Sequence, residues 1–92
     1  MRNNYKDKHL KLWAFIQAST YRQRVMKYLY KAYFGTPTQI ALNSQLRTNH
    51  ISKVLRELKE KGLIICINEG SRKGRVYKLT KIGNELMENF EI

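Results

Sequence analysis

The sequence predicts a mainly α (α+β) fold: a three-helix core, a β-hairpin and a helix at each end, in one domain. Three observations predict it. Apolar residues recur at helical spacing over most of the 92 residues. Two of the helical segments are separated only by Ser44-Gln45-Leu46-Arg47, a connection short enough to make a helix-turn-helix corner. And Leu63 to Leu79 alone has strand composition, two apolar runs around a loop that holds Gly70 and Gly74.

Residues 8–18 (K-H-L-K-L-W-A-F-I-Q-A) predict a short helix in which Leu12, Trp13 and Ile16 share a face and Leu10 and Phe15 widen it. Ser19 or Thr20 caps the next helix, and Thr20 with Gln23 matches a capping box. That helix runs to about Tyr33, with Val25, Met26, Leu29, Ala32 and Tyr33 on one side and Gln23, Arg24, Lys27 and Lys31 on the other; Gly35 is expected to end it. Thr36 caps a brief helix over 37–43 with Pro37 in its first position, where a missing N–H costs nothing. The next helix spans 48–61 and stops at Gly62. In the hairpin, Leu63, Ile65 and Ile67 point one way and Ile64 and Cys66 the other; Arg75, Tyr77 and Leu79 share a face on the return. Thr80 caps a last helix marked by Ile82, Leu86 and Phe90, and Gly83 inside it implies close packing against the hairpin. The division is a helical extension over 1–18, a candidate dimer element, followed by a core with its C-terminal helix over 19–92.

The net charge is +11, and it is uneven. Up to Arg56, eleven Lys or Arg face Asp7 alone; from Glu57 onward, seven face six acids. Such a field favours a polyanion, nucleic acid before an anionic membrane surface, although a lysine-rich surface also serves solubility. On a wheel of the 48–61 helix, Ile51, Val54, Leu55 and Leu58 form the stripe to be buried. Asn49, Lys53, Arg56 and Glu60 fall opposite, with Ser52 and Lys59 on one flank and His50 on the other. Asn49 is suited to adenine, and Lys53 and Arg56 to guanine or phosphate. A solvated face accounts for such residues on any isolated helix; the neighbouring short helix and basic hairpin set this one apart. The hairpin tip carries Ser71, Arg72, Lys73 and Arg75, with Lys78 nearby, suited to phosphates or a narrow minor groove; a charged tip also discourages edge pairing.

Other chemistries find little support. The single Cys66 makes neither an internal disulfide nor a thiolate metal site, and reads as a buried small residue. His9 and His50 lack metal-spaced partners or a triad, and no carboxylates are paired for acid–base work. G-S-R-K-G lacks the P-loop spacing. Of the six tyrosines (Tyr5, Tyr21, Tyr28, Tyr30, Tyr33, Tyr77), Tyr21, Tyr28 and Tyr33 are expected in the core rather than as stacking platforms. No segment has the length and apolarity of a membrane span, and the polar start is unlike a signal peptide, so the cytoplasm is the expected compartment. Neither a metal, a cofactor nor enzymatic activity is expected.

Residues from about Trp13 to Met87 resemble winged helix-turn-helix transcription regulators of the MarR/ArsR-like type, especially small archaeal ones. The pieces that carry the resemblance are S-T-Y-R-Q-R-V-M-K-Y-L (19–29), T-P-T-Q-I-A (36–41), L-R-T-N-H-I-S-K-V-L-R-E-L-K-E-K-G-L-I (46–64), R-K-G-R-V-Y-K-L-T (72–80) and the trailing K-I-G-N-E-L. The resemblance implies a recognition helix in the major groove over Thr48, Asn49, His50, Ser52, Lys53 and Arg56. It implies a wing over 71–75, backbone contacts from Thr36, Thr38 and Gln39, and a homodimer on double-stranded DNA. Relatives often have glycine where this chain has Gln45, so a positive φ there would strain the turn. One cysteine does not supply the thiolate cluster of metal-sensing relatives. No effector pocket is legible. Docking on transcription machinery or another protein, and RNA binding, stand as the alternatives; a docking surface would depend on exposed apolar residues such as Trp13 or Phe15.

Overall fold

The structure, a computed structural model, describes residues 7–90; the polar start through Lys6, with Tyr5, and the acid Glu91 lie outside the described residues. The elements are α1 (Asp7–Gln17), α2 (Thr20–Ala32), α3 (Pro37–Ser44), α4 (Thr48–Glu60), β1 (Ile64–Cys66), β2 (Tyr77–Leu79) and α5 (Lys81–Asn89). The expected order holds, with short strands.

Local chemistry sets most boundaries. Ser19 Oγ accepts from the Arg22 N–H at 3.2 Å, so Ser19 is the cap of α2 and the Thr20–Gln23 box does not form. The sharp α1–α2 corner brings the free carbonyl of Gln17 within 3.1 Å of the Gln23 amide, which donates there instead. The capping box of α3 does form: Thr36 Oγ1 accepts from the Gln39 N–H at 3.3 Å, and Gln39 Oε1 from the Thr36 N–H at 3.0 Å. Gln45 closes α3 in the left-handed region at φ 58° and ψ 42°. Gly62, at φ 73°, closes α4 with Gly62 N–H on the Lys59 carbonyl and Leu63 N–H on the Leu58 carbonyl, a Schellman ending.

Gly35 has a different role from the one its sequence position implies. Tyr33, at φ 75°, makes the break at the end of α2. Gly35 instead joins the sheet, exchanging backbone hydrogen bonds of 3.0 and 2.8 Å with Tyr77. A Cβ on Gly35 would lie 3.1 Å from the Tyr28 ring and 3.2 Å from Ile40, so any larger residue requires those side chains to give by a few tenths of an ångström. β1 and β2 pair antiparallel in the register Ile64↔Leu79, Ile65↔Lys78, Cys66↔Tyr77.

The core gathers Leu12 and Ile16 of α1, Val25, Met26 and Leu29 of α2, Ile40 of α3, the α4 stripe, and Leu63, Ile64, Cys66, Leu79 and Leu86. Each fully buried Leu or Ile contributes about 2 kcal/mol. Gly83 is buried where α5 crosses the hairpin, and a Cβ there would overlap the Leu63 carbonyl oxygen. That carbonyl also accepts from the Thr80 N–H at 3.0 Å, which locks the crossing.

Three further sequence expectations are corrected. Leu63 is buried while Ile65 and Ile67 are exposed, because Leu63 belongs to the stop of α4 rather than to the strand alternation. Tyr33 is 76% exposed: its positive φ takes it off the helical wheel on which it counted as apolar. Tyr21 is also exposed, at the margin of the core, whereas Tyr28 packs against it.

Candidate nucleic-acid interface

The strong amphipathicity of α4 decides what it presents. Ile51, Val54, Leu55 and Leu58 are buried, which turns Thr48, Asn49, Ser52, Lys53, Arg56, Lys59 and Glu60 outward, all exposed. No side chain caps the start of α4; the extended Arg47 lends its carbonyl to the His50 and Ile51 N–H groups. Among the described residues, Lys53 and Arg56 meet no carboxylate.

His50 differs from its neighbours. It is half-buried, its ring 5.1 Å from that of Tyr21, and its Nδ1 is enclosed with no hydrogen-bond partner among the described residues. It joins the start of α4 to the start of α2, and less of its ring is left to reach outward.

The loop between the strands is built around Asn68. Its Oδ1 accepts from the Val76 N–H at 2.7 Å, its Nδ2 donates to the Gly74 carbonyl at 3.1 Å, and its own carbonyl accepts from the Ser71 N–H at 2.9 Å. Gly74 sits at φ 66°. This Asx-type clamp gives the loop a fixed shape and leaves Arg72 and Lys73 exposed without a carboxylate partner among the described residues. Ser71 is half-buried and its carbonyl receives Arg75 Nε at 2.7 Å, so Arg75 is partly spent on holding the loop. Asn68 was not singled out from sequence, although Asn followed by Glu-Gly is a turn signal.

Lys59 and Glu69 form an ion pair between α4 and the loop. Their hydrogen bond holds the lysine above its ordinary pKa and the carboxylate below its own; both are exposed. Buried Leu63, Ile64, Cys66, Tyr77 and Leu79 pack the hairpin into the same core as α4, and the pair bridges the two beside a cleft of about 330 Å³, lined by Pro37, Ser52, Leu55, Arg56, Lys59, Arg75 and Tyr77. Thus α3's start, the outer flank of α4 and the hairpin border one basic depression. Thr38 is exposed beside it in sequence, while the side chains of Thr36 and Gln39 are occupied by their capping box.

Arg22 escaped the sequence reading because its partners are distant in the chain. Its Nη1 donates to the Phe15 carbonyl at 2.8 Å, its Nε to Glu57 at 3.2 Å, and its guanidinium lies 3.8 Å over the Phe15 ring. One half-buried cation ties α1, α2 and the back of α4. Trp13 stacks on Phe90 at 4.8 Å. The two aromatic residues on which a docking surface was expected to depend are therefore both engaged within the fold.

Among solved structures, the chain is similar to NadR in its complex with 4-hydroxyphenylacetate, with a TM-score of 0.70 at 14% sequence identity over 96% of this chain and 73% of NadR. The fold is a winged helix. α3 and α4 form its helix-turn-helix and the β1–β2 hairpin its wing. No protein-family model and no curated protein matches the chain. Among the described residues, no helix is long and apolar enough to cross a membrane, and no group of His, Cys, Asp and Glu is placed to hold a metal ion.

Proposed function

We propose that this chain binds double-stranded DNA sequence-specifically and regulates transcription, with α4 in the major groove and the wing on the backbone or in the minor groove. The observation that carries the reading is the shared basic cleft: Ser52 and Arg56 of α4 face Arg75 of the wing across it, beside the start of α3. A duplex seated there meets Asn49, Lys53 and Arg56 at base edges, Arg72 and Lys73 at phosphates, and Thr38 with the α3 backbone on the adjoining strand. Thr48, His50 and Ser71 lie within the same contact zone, and Thr36 and Gln39 reach it chiefly through the helix start they cap.

Selection from random duplexes with single-stranded RNA as competitor tests this. The expected outcome is a defined duplex motif, and Asn49→Ala then relaxes discrimination at one position by about 2 kcal/mol. Enrichment of RNA, or of no motif, refutes the reading.

Homodimerisation through α1 and α5 is part of the same proposal, since a dimer reads two half-sites. The monomer already absorbs Leu12, Trp13, Phe15 and Ile16, which leaves Leu10, 42% exposed, as the apolar residue α1 offers a partner. Sedimentation checks it: a dimer is expected, and a monomer at high micromolar concentration removes this part.

Docking on another protein is the second reading, favoured by the adjacent exposed rings of Tyr33 and Phe34. It requires that binding survive Lys53→Ala with Arg56→Ala and fail with Tyr33→Ala and Phe34→Ala.

A further inference from the structure

Between Thr20 and Arg56 the chain has seven cations and no carboxylate. Arg22 is turned inward, Arg47 lies in the turn, and Lys53 and Arg56 belong to the outer face of α4. The other three, Arg24, Lys27 and Lys31, serve neither the core nor that face.

They recur at i, i+3 and i+7 on the outer side of α2, opposite Val25, Met26 and Leu29, and all three are exposed. None has an ion-pair partner among the described residues. Lys31 suits the helix dipole in the last turn, but like charges at this spacing work against the helix that carries them, so Arg24 and Lys27 are not explained by the stability of α2. It forms one wall of a cleft of about 300 Å³ whose other wall includes Asn43, Ser44 and Gln45 at the end of α3. Ser44 is buried, and its Oγ donates to the Arg24 carbonyl at 3.4 Å, which fixes the two walls together. The Ser44 hydroxyl is thereby spent and Asn43 Nδ2 donates to the Gln39 carbonyl at 2.7 Å, which leaves the three cations and the exposed Gln45 amide to meet a ligand, chemistry that holds phosphates without reading bases. From Arg24 to Lys31 the axis rises about 10 Å, roughly three nucleotide steps along one strand.

The position of the stripe separates it from the cleft beside the wing. The basic face of α4 is opposite α4's buried stripe, and the stripe of α2 is opposite its own; both buried stripes enter the same core. The two clefts share no lining residue: the one beside α2 ends at the turn after α3, and the one beside the wing begins at the start of α3.

We propose that Arg24, Lys27 and Lys31 form a second phosphodiester-backbone site, through which a protomer seated on one duplex by α4 and the wing captures a second duplex segment. This rests on the reading of α4 and the wing as a duplex interface.

The test uses the full chain and the triple variant Arg24→Gln, Lys27→Gln, Lys31→Gln. Glutamine has nearly the helix propensity of Lys and Arg, so exposed positions of α2 keep their fold. Two quantities are measured: affinity for a duplex one site long, and capture of a labelled second duplex by protein already bound to an immobilised one. The triple variant is expected to keep one-site affinity within about twofold and to lose at least about tenfold in capture, as removal of three phosphate contacts requires. Lys27→Gln alone gives an intermediate loss. Capture by the parent that the triple variant matches overturns the proposal, because bridging then runs through two α4 faces of a dimer. So does a triple variant whose one-site affinity falls as far as its capture, since the stripe then belongs to the first site. Parent protein that binds one duplex and captures no second one sinks this proposal and leaves the α4 reading standing; parent protein that binds no duplex sinks the α4 reading itself.

Discussion

The α1–α5 side of the molecule and the α4–wing side are built from the same kinds of residue, used in opposite ways. On the first, polar and aromatic groups find partners inside the chain: His9 meets Glu85 at 3.4 Å, Trp13 stacks on Phe90, and Arg22 spans Phe15 and Glu57. On the second, Lys53, Arg56, Arg72 and Lys73 have no carboxylate among the described residues, and only Lys59 is neutralised, by Glu69. Charge alone does not separate Arg22 from Arg56; the location of the counter-charge does. A cation answered from within holds helices together, and a set of cations left unanswered on one face raises a potential that an outside polyanion lowers.

The contrast predicts that substitutions on the first side change stability and leave recognition alone. The largest effect is expected at Gly83, on the α5 crossing. Ala there places a Cβ against the Leu63 carbonyl, a backbone atom already bonded to Thr80 N–H and unable to rotate away. Gly83→Ala is expected to destabilise by about 3 kcal/mol, read from urea unfolding. The fraction that remains folded should bind DNA as the parent does. A parent-like midpoint would show that α5 slides freely over the hairpin.

Arg22 and Arg56 make the sharper comparison, since both are arginines. Arg22→Ala leaves Glu57 partly buried and the Phe15 carbonyl without its donor, and is expected to cost about 2 kcal/mol of stability. Arg56→Ala removes an exposed side chain and should change stability by less than about 0.5 kcal/mol, while weakening duplex binding by about 1–3 kcal/mol. Unfolding curves and duplex titrations on both variants decide it. If Arg56→Ala unfolds early, or Arg22→Ala binds weakly while folded, the division by counter-charge is wrong.

The reach of the sequence follows the same line. Helix periods, Thr36-Pro37, Gly62, Thr80 and the α4 stripe are legible because each acts on neighbours within four residues. Arg22 is not, since its partners lie 7 and 35 positions away and nothing local distinguishes it from Arg24. Gly35 looks like a helix stop in sequence and is a sheet residue in space, because Tyr77, 42 positions on, closes the bridge. The candidate site was legible as two parts, helix and hairpin; that they border one cleft depends on the core they share and on the loop shape the Asn68 clamp sets, which only three-dimensional proximity reveals.

A smaller effect separates α4 from the wing within the basic side. Arg72 and Lys73 stand on a loop with charge and little else to read bases. Their joint replacement by Ala should weaken specific and random duplexes by similar factors and make the log–log salt slope shallower by about 1–2 units. Titrations at several salt concentrations measure both. If random duplexes bind as before and only the preferred site is lost, the wing reads groove shape, and the α4 face is not the sole reader.

The smallest effect belongs to Gln45, the residue on which the helix-turn-helix corner bends. Its φ of 58° is a region that a side chain with a Cβ enters at a cost of about 1–2 kcal/mol, and it is exposed, so no packing compensates directly. Its N–H reaches the Ala41 carbonyl and the next N–H, that of Leu46, reaches the same carbonyl at 2.9 Å; these bonds, with buried Leu46 behind them, hold the turn in place. Glycine keeps every one of those bonds, since all are backbone. It removes the Cβ clash and adds freedom to the unfolded chain, two terms of opposite sign. The clash is the larger, so Gln45→Gly should stabilise by about 0.5–1 kcal/mol in thermal or urea unfolding. Gln45 also lines the α2 cleft, so the same variant sharpens the comparison between the two basic faces. Its one-site duplex affinity should match the parent's, because the α4 face is untouched. A destabilised Gln45→Gly would mean that the glutamine side chain contributes more to the corner than its backbone strain removes.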